Sequence, residues 1–207
     1  MRPALWLRRS RAVSTLRRGV WDDNPVYRQI LGICSTLAVT NLLVNTVVMG
    51  LGLIFATAMS CWTVSLLRNV TPKRVRMMAQ VLIIASYVIL VDLALKAYLP
   101  EISEALGPYV GLIITNCIIM GRCEAFAAKN PPGLAFLDGL GCAVGYTLVL
   151  LAIAFFRELL GFGTLFGYPV LPERVTLWTI MAMPPGAFFM LGLAIWFFRT
   201  IQKPREA

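Results

Sequence analysis

Residues 29–67 read QILGICSTLAVTNLLVNTVVMGLGLIFATAMSCWTVSLL, 39 positions without a Lys, Arg, Asp or Glu. A membrane-spanning helix needs about 20 such residues, so this run is too long for one span. The polar cluster Thr40, Asn41, Asn45 and Thr46 is the natural turn within it. A turn there divides the run into a first segment near 27–40 and a second near 45–67. Further charge-free runs follow at Met77–Val91, Ala105–Gly121, Gly139–Phe156 and Val175–Phe198, making six segments in all. Leu99-Pro100 ends the third near Tyr98, because proline cannot continue a helix and restricts the residue before it. Pro184-Pro185-Gly186 moves the start of the sixth helix to about 184, leaving Val175–Met183 as an interfacial approach.

The composition fits that pattern. Of 207 residues, 58% are hydrophobic and 14% charged, and the mean hydropathy is +0.76, against roughly 25% charged residues in soluble domains. The expected fold is an all-α membrane protein of six transmembrane helices with no separate soluble domain. Histidine is absent, which removes Ser-His-Asp and Cys-His nucleophile systems, His-ligated haem and histidine zinc sites. Any chemistry rests on Cys, carboxylates, Lys/Arg or a partner.

The net charge of +9 is a topology signal rather than a nucleic-acid footprint. The N-terminal stretch through Arg28 carries seven Arg, four basic residues lie at 68–76, Arg122 and Lys129 follow the fourth segment, and three close the chain. Only Lys96, Arg157 and Arg174 fall on the other side, so both termini are expected in the cytoplasm. The Arg-rich residues 1–25 lack the apolar core of a signal peptide and read as a basic cytoplasmic arm resting on anionic membrane lipid.

Two segments make poor spans. The first has only about a dozen apolar residues before Thr40-Asn41, and the fourth carries Gly107, Pro108, Gly111, Thr115, Asn116 and Gly121. Interrupted segments mark broken helices, which membranes tolerate where protein or a cavity covers the freed backbone. Dividing the chain at Pro100 gives three-helix halves, 26–99 and 100–200, followed by a cytoplasmic tail, 201–207. An odd number of spans per half puts the two in opposite orientations, an inverted repeat whose halves each open on a broken segment. A Thr-Asn pair and one cysteine recur in both, though Cys34 lies six residues before its Thr40 and Cys117 two after its Thr115. Functional centres of inverted repeats lie between the broken helices, which places Cys34 and Cys117 to face each other.

The chain has five cysteines, Cys34, Cys61, Cys117, Cys123 and Cys142, with no C-x-x-C spacing. Burial as small apolar residues is the ordinary role of membrane-helix cysteines. Cys34 and Cys117 stand apart because each sits on a broken segment. Two thiolates are half of the four that a 2Fe–2S cluster takes, and a homologous partner chain would complete the set. A disulfide between them is the alternative. Asp92 and Lys96, four apart, read as a local ion pair, and Arg157-Glu158 at the end of the fifth segment as an interface anchor. Arg122 and Glu124 are candidates for a subunit contact or for steering a cofactor phosphate. Gly139, Gly141 and Gly145 point to close helix packing.

The stretches DDNPVYRQILGICSTLAVTN (22–41), VGLIITNCIIMGRCEAFAAKN (110–130), LDGLGCAVGYTLVLLAIAFFRELLGFGTLFG (137–167) and PPGAFFMLGLAIWFFRT (184–200) closely resemble the D-type membrane subunits of bacterial Na+-translocating NADH:quinone reductases. That superfamily also includes the E-type subunits and the membrane subunits of Rnf-type ferredoxin:NAD reductases. The resemblance runs from Asp22 to the C-terminus, with Thr-Asn-Cys and Phe-Arg-Glu-Leu-Leu-Gly as its most specific elements. It implies six spans in an inverted repeat and a pseudo-symmetric pairing with a homologous E-type subunit in the bacterial inner membrane. It also implies a 2Fe–2S cluster shared by that pair, with Cys34 and Cys117 as this chain's ligands. FAD, FMN and riboflavin belong to other subunits, and the cluster relays electrons towards quinone, coupled to sodium export. Cys-Ser at 34–35 looks more like the sodium enzyme than its Rnf counterpart, where Cys-Pro is expected; Cys123 departs from an expected Ala. The rival readings are the equivalent E-type chain of an Rnf reductase, a small-solute transporter with inverted repeats, and a scaffold whose cysteines only pack.

Overall fold

The computed structural model describes residues 19, 26, 29, 31–72, 74–98, 107, 109–165, 168–169 and 183–201. The basic arm apart from Gly19, the approach 175–182 and the tail from 202 lie outside the described residues.

Among the described residues, six helices carry the fold. The first, α1, is Ile33–Val39, α2 is Leu43–Leu67 and α3 is Arg76–Tyr98. Tyr109–Ala127 forms α4, α5 is Pro132–Gly161 and α6 is Pro184–Ile201. Four of them, α2 to α5, are long and apolar enough to cross a membrane. A two-stranded antiparallel hairpin, Thr164–Leu165 with Tyr168–Pro169, follows α5. The chain turns between α1 and α2 at Thr40–Leu42, where the polar cluster placed it, and α3 ends at Tyr98. The fifth helix begins seven residues before the expected Gly139, because Pro131-Pro132 supplies a helix start and Asp138 is buried inside it.

α2 and α5 form the central pair. Glycine makes their close approach: a Cβ on Gly139 would stand 3.0 Å from Cys61 Sγ and 3.2 Å from the Thr57 carbonyl oxygen, and one on Gly50 would collide with the Thr147 methyl. Helix pairs in lipid gain from such contacts because lipid tails supply little hydrophobic drive between helices. Gln80, Ile84 and Val88 turn one face of α3 inward, while Met78, Leu82, Ile89 and Leu93 face outward.

Polar contacts join the helix ends. Ser65 Oγ donates to the Asn130 carbonyl at 2.6 Å. Glu124 receives Arg76 and, at 2.9 Å, Gln80 Nε2. Arg122 Nη1 lies 3.8 Å from Asp138 Oδ2, both largely buried. Arg122 and Glu124, candidates for a subunit contact or a phosphate, are thus engaged within the chain. Lys96 Nζ meets Asp92 Oδ2 at 2.6 Å, the expected local pair.

Candidate functional site: two cysteines at two helix breaks

The first break is at Gly32. Its φ of 81° is left-handed, a conformation that favours glycine, and a Cβ there would stand 2.7 Å from Ile118 Cδ1 and 2.8 Å from Tyr146 Cε2. The chain then enters α1, with Cys34 in its first turn. The Gly32 carbonyl accepts from Thr36 N–H at 3.2 Å, Thr36 Oγ1 at 2.9 Å, Ser35 Oγ at 3.3 Å and Tyr146 Oη at 2.8 Å. This satisfies a backbone group that lipid could not.

The second break, at Thr115–Asn116, interrupts α4. Asn116 has extended backbone and caps the next half-helix, its side-chain oxygen accepting from Ile118 N–H at 3.0 Å. Cys117 is the first residue of that half-helix, Cys117–Arg122. Asn116 Nδ2 donates to Ser35 Oγ at 3.3 Å. The residue after Cys34 therefore touches the residue before Cys117, and the structure brings the two cysteine-bearing turns together.

Exposure separates the five cysteines. Cys34 and Cys117 are exposed at the chain's surface and unpaired, whereas Cys61, Cys123 and Cys142 are at most 1% exposed. Cys123 turns away from Cys117 towards the core, where its Sγ lies 3.8 Å from Cys61 Sγ. The helix widens there to a π-turn, Cys123–Ala127, with Ala128 N–H bonding the Cys123 carbonyl at 3.0 Å. Among the described residues no three His, Cys, Asp or Glu side chains converge on a metal position. The chemistry available at the breaks is a pair of outward-facing thiols, suited to half of a thiolate ligand set.

Arg157 and Glu158 correct the sequence reading. They are not an interface anchor: Arg157 is 1% exposed and Glu158 0%. Arg157 Nη1 donates to Thr40 Oγ1 at 2.6 Å, at the end of α1. Glu158 Oε2 accepts the Leu43 N–H at 2.6 Å, the first amide of α2. Cation at a helix C-terminus and anion at a helix N-terminus both complement the helix dipoles, so α5 holds the turn between α1 and α2. Tyr146 escaped the sequence reading altogether; its signal was a stripe of Gly139, Cys142 and Tyr146 on the small-residue face of α5.

Broken helices in a polytopic bundle, with a thiol at each of two adjoining breaks, define a class of polytopic membrane protein. The model of the family "Rnf-Nqr subunit, membrane protein" matches residues 12–195, and the chain belongs to that family. Over 192 residues, 90% of this chain and 91% of the relative, it is 49% identical to the D subunit of the Na(+)-translocating NADH-quinone reductase of Pseudoalteromonas atlantica.

Proposed function

We propose that this chain is the D-type membrane subunit of a Na+-translocating NADH:quinone reductase in the bacterial inner membrane. In this reading Cys34 and Cys117 supply two of the four thiolates of an intramembrane 2Fe–2S cluster, and a homologous E-type subunit of opposite orientation supplies the others. The observation that carries it is the exposure pattern: the only two outward-facing thiols stand at the two breaks, joined through Ser35 and Asn116. The 49% identity favours the sodium enzyme over its Rnf-type counterpart. Residues 26–99 and 100–200 form the two inverted repeats, each contributing one cysteine.

When bound, such a cluster supplies one-electron transfer between redox subunits on the two membrane faces, on the way to quinone and coupled to sodium export; FAD, FMN and riboflavin reside in other subunits. This chain's part is structural chemistry. Cys34 and Cys117 give up their protons on ligation. Gly32 and Asn116 occupy the N-cap positions of the two short helices, so that each thiol sits in a first turn. Arg157 fixes the far end of α1 and Glu158 the start of α2.

The test uses the whole complex. Cys34→Ala and Cys117→Ala each abolish the membrane-embedded 2Fe–2S EPR signal and NADH-driven quinone reduction, while NADH oxidation by an artificial acceptor at the input flavin persists. Cys61→Ala, Cys123→Ala and Cys142→Ala keep the signal. Loss of the signal in Cys123→Ala with its retention in Cys117→Ala would overturn the assignment, and quinone reduction unaffected by either ligand variant would favour a transporter.

A further inference from the structure

We infer that Tyr146 is the positioning residue of the thiol pair: its hydroxyl clamps the Cys34 turn directly and the Cys117 turn through Ser35. The inference rests on the cluster assignment above and adds a residue to it.

Tyr146 is fully buried near the middle of α5, fifteenth of its 30 residues. At that depth a hydroxyl is costly unless partnered, and this one lies 2.8 Å from the Gly32 carbonyl oxygen, 2.5 Å from Ser35 Oγ and 3.4 Å from Thr36 Oγ1. Of the donors to the Gly32 carbonyl described above, Tyr146 alone comes from another helix. The other three belong to α1, so they shape the turn without fixing where it stands in the bundle.

Ser35 carries the clamp onward. Its hydroxyl sits between Tyr146 Oη and Asn116 Nδ2, and Asn116 in turn caps the half-helix that Cys117 opens. Gly32, Tyr146 and Ile118 also meet as a packed trio, with no room for a Cβ on Gly32. The ring fills that space and the hydroxyl sets the polar register. Removing only the hydroxyl keeps the packing, takes one donor from the Gly32 carbonyl and removes the 2.5 Å partner of Ser35 Oγ, which keeps only its longer 3.3 Å contacts to the Gly32 carbonyl and Asn116 Nδ2. The two thiols then lose their common reference.

Tyr146→Phe in the full complex is expected to assemble and to oxidise NADH at the input flavin as the unaltered complex does. Its 2Fe–2S EPR signal broadens and shifts in g-value, and NADH-driven reduction of the cluster slows, because the two thiols no longer share a fixed position. Ser35→Ala shows the same spectral change, and Ser35→Thr, which restores a hydroxyl, recovers the unaltered line shape. Iron and labile sulfide per complex are measured alongside. If the unaltered complex has a Cys34- and Cys117-dependent signal while Tyr146→Phe and Ser35→Ala leave line shape and reduction rate unchanged, the positioning role is overturned and the cluster assignment stands. If the unaltered complex shows no signal that depends on Cys34 and Cys117, the underlying assignment is what fails.

Discussion

Replacing Glu158 tests how the broken first segment is held. Its carboxylate accepts the Leu43 N–H at 2.6 Å in a fully buried site, and Leu42, at the N-cap position of α2, makes no side-chain cap. A hydrogen bond to a buried charged group contributes about 1.5–3 kcal/mol, and charge at a helix terminus adds about 0.3–1 kcal/mol. Glu158→Ala loses both, orphans the Leu43 amide and opens a small cavity, for a loss of about 3–4 kcal/mol after the relief of carboxylate desolvation. Glu158→Gln keeps a neutral acceptor in place and loses about 1–2 kcal/mol. For a chain of this length, each kcal/mol moves the melting midpoint by about 2–4 °C. Thermal melts of purified protein in one detergent therefore place Glu158→Ala roughly 6–16 °C below the unaltered protein, with Glu158→Gln between them. An alanine variant within about 2 °C of the unaltered protein, or one no less stable than the glutamine variant, would refute the capping role.

Both termini and the 68–76 loop are expected in the cytoplasm, so a periplasm-active reporter fused after Arg205 stays silent, and activity there would invert the orientation. Gly32→Ala combines a left-handed backbone, costing about 1–2 kcal/mol, with a Cβ 2.7 Å from Ile118 Cδ1. It lowers the yield of folded protein in fluorescence-detected size-exclusion chromatography, and a normal yield would contradict the packing at the first break.

Much of the architecture is legible in the sequence because lipid penalises charge and unpaired backbone so heavily. Charge-free runs marked the helices, Pro184 opens the last of them, and Thr40-Asn41 marked the first turn. Charge counting also misled. Asp138 seemed to delay the fifth helix and Arg157-Glu158 to end it at an interface, yet all three are buried, with Arg157 and Glu158 bonded to the ends of α1 and α2. Hydropathy cannot foresee a charge whose partner is a helix terminus elsewhere in the chain. The cysteine register was obscured in a similar way. Matching Thr40-Asn41 to Thr115-Asn116 sets the cysteines eight residues out of step, but the first pair ends a short helix and the second begins one. What the two cysteines share in the structure is a place in the first turn of a short helix, after the N-cap residues Gly32 and Asn116. Glycine is common enough that its left-handed role shows only once Ile118 and Tyr146 are seen to fill the space beside it.

In the proposed assignment this chain holds half of a cluster site. Two outward thiols leave an iron pair two ligands short, and Cys123 cannot supply a third because it faces Cys61 in the core. The direct measurement is iron, labile sulfide and reduced-state EPR on this chain expressed alone and on the same chain co-purified with its homologous partner. A shared site gives a 2Fe–2S signal, about one per pair, only when both chains are present. A stoichiometric signal from this chain alone, or none from the pair, would contradict it.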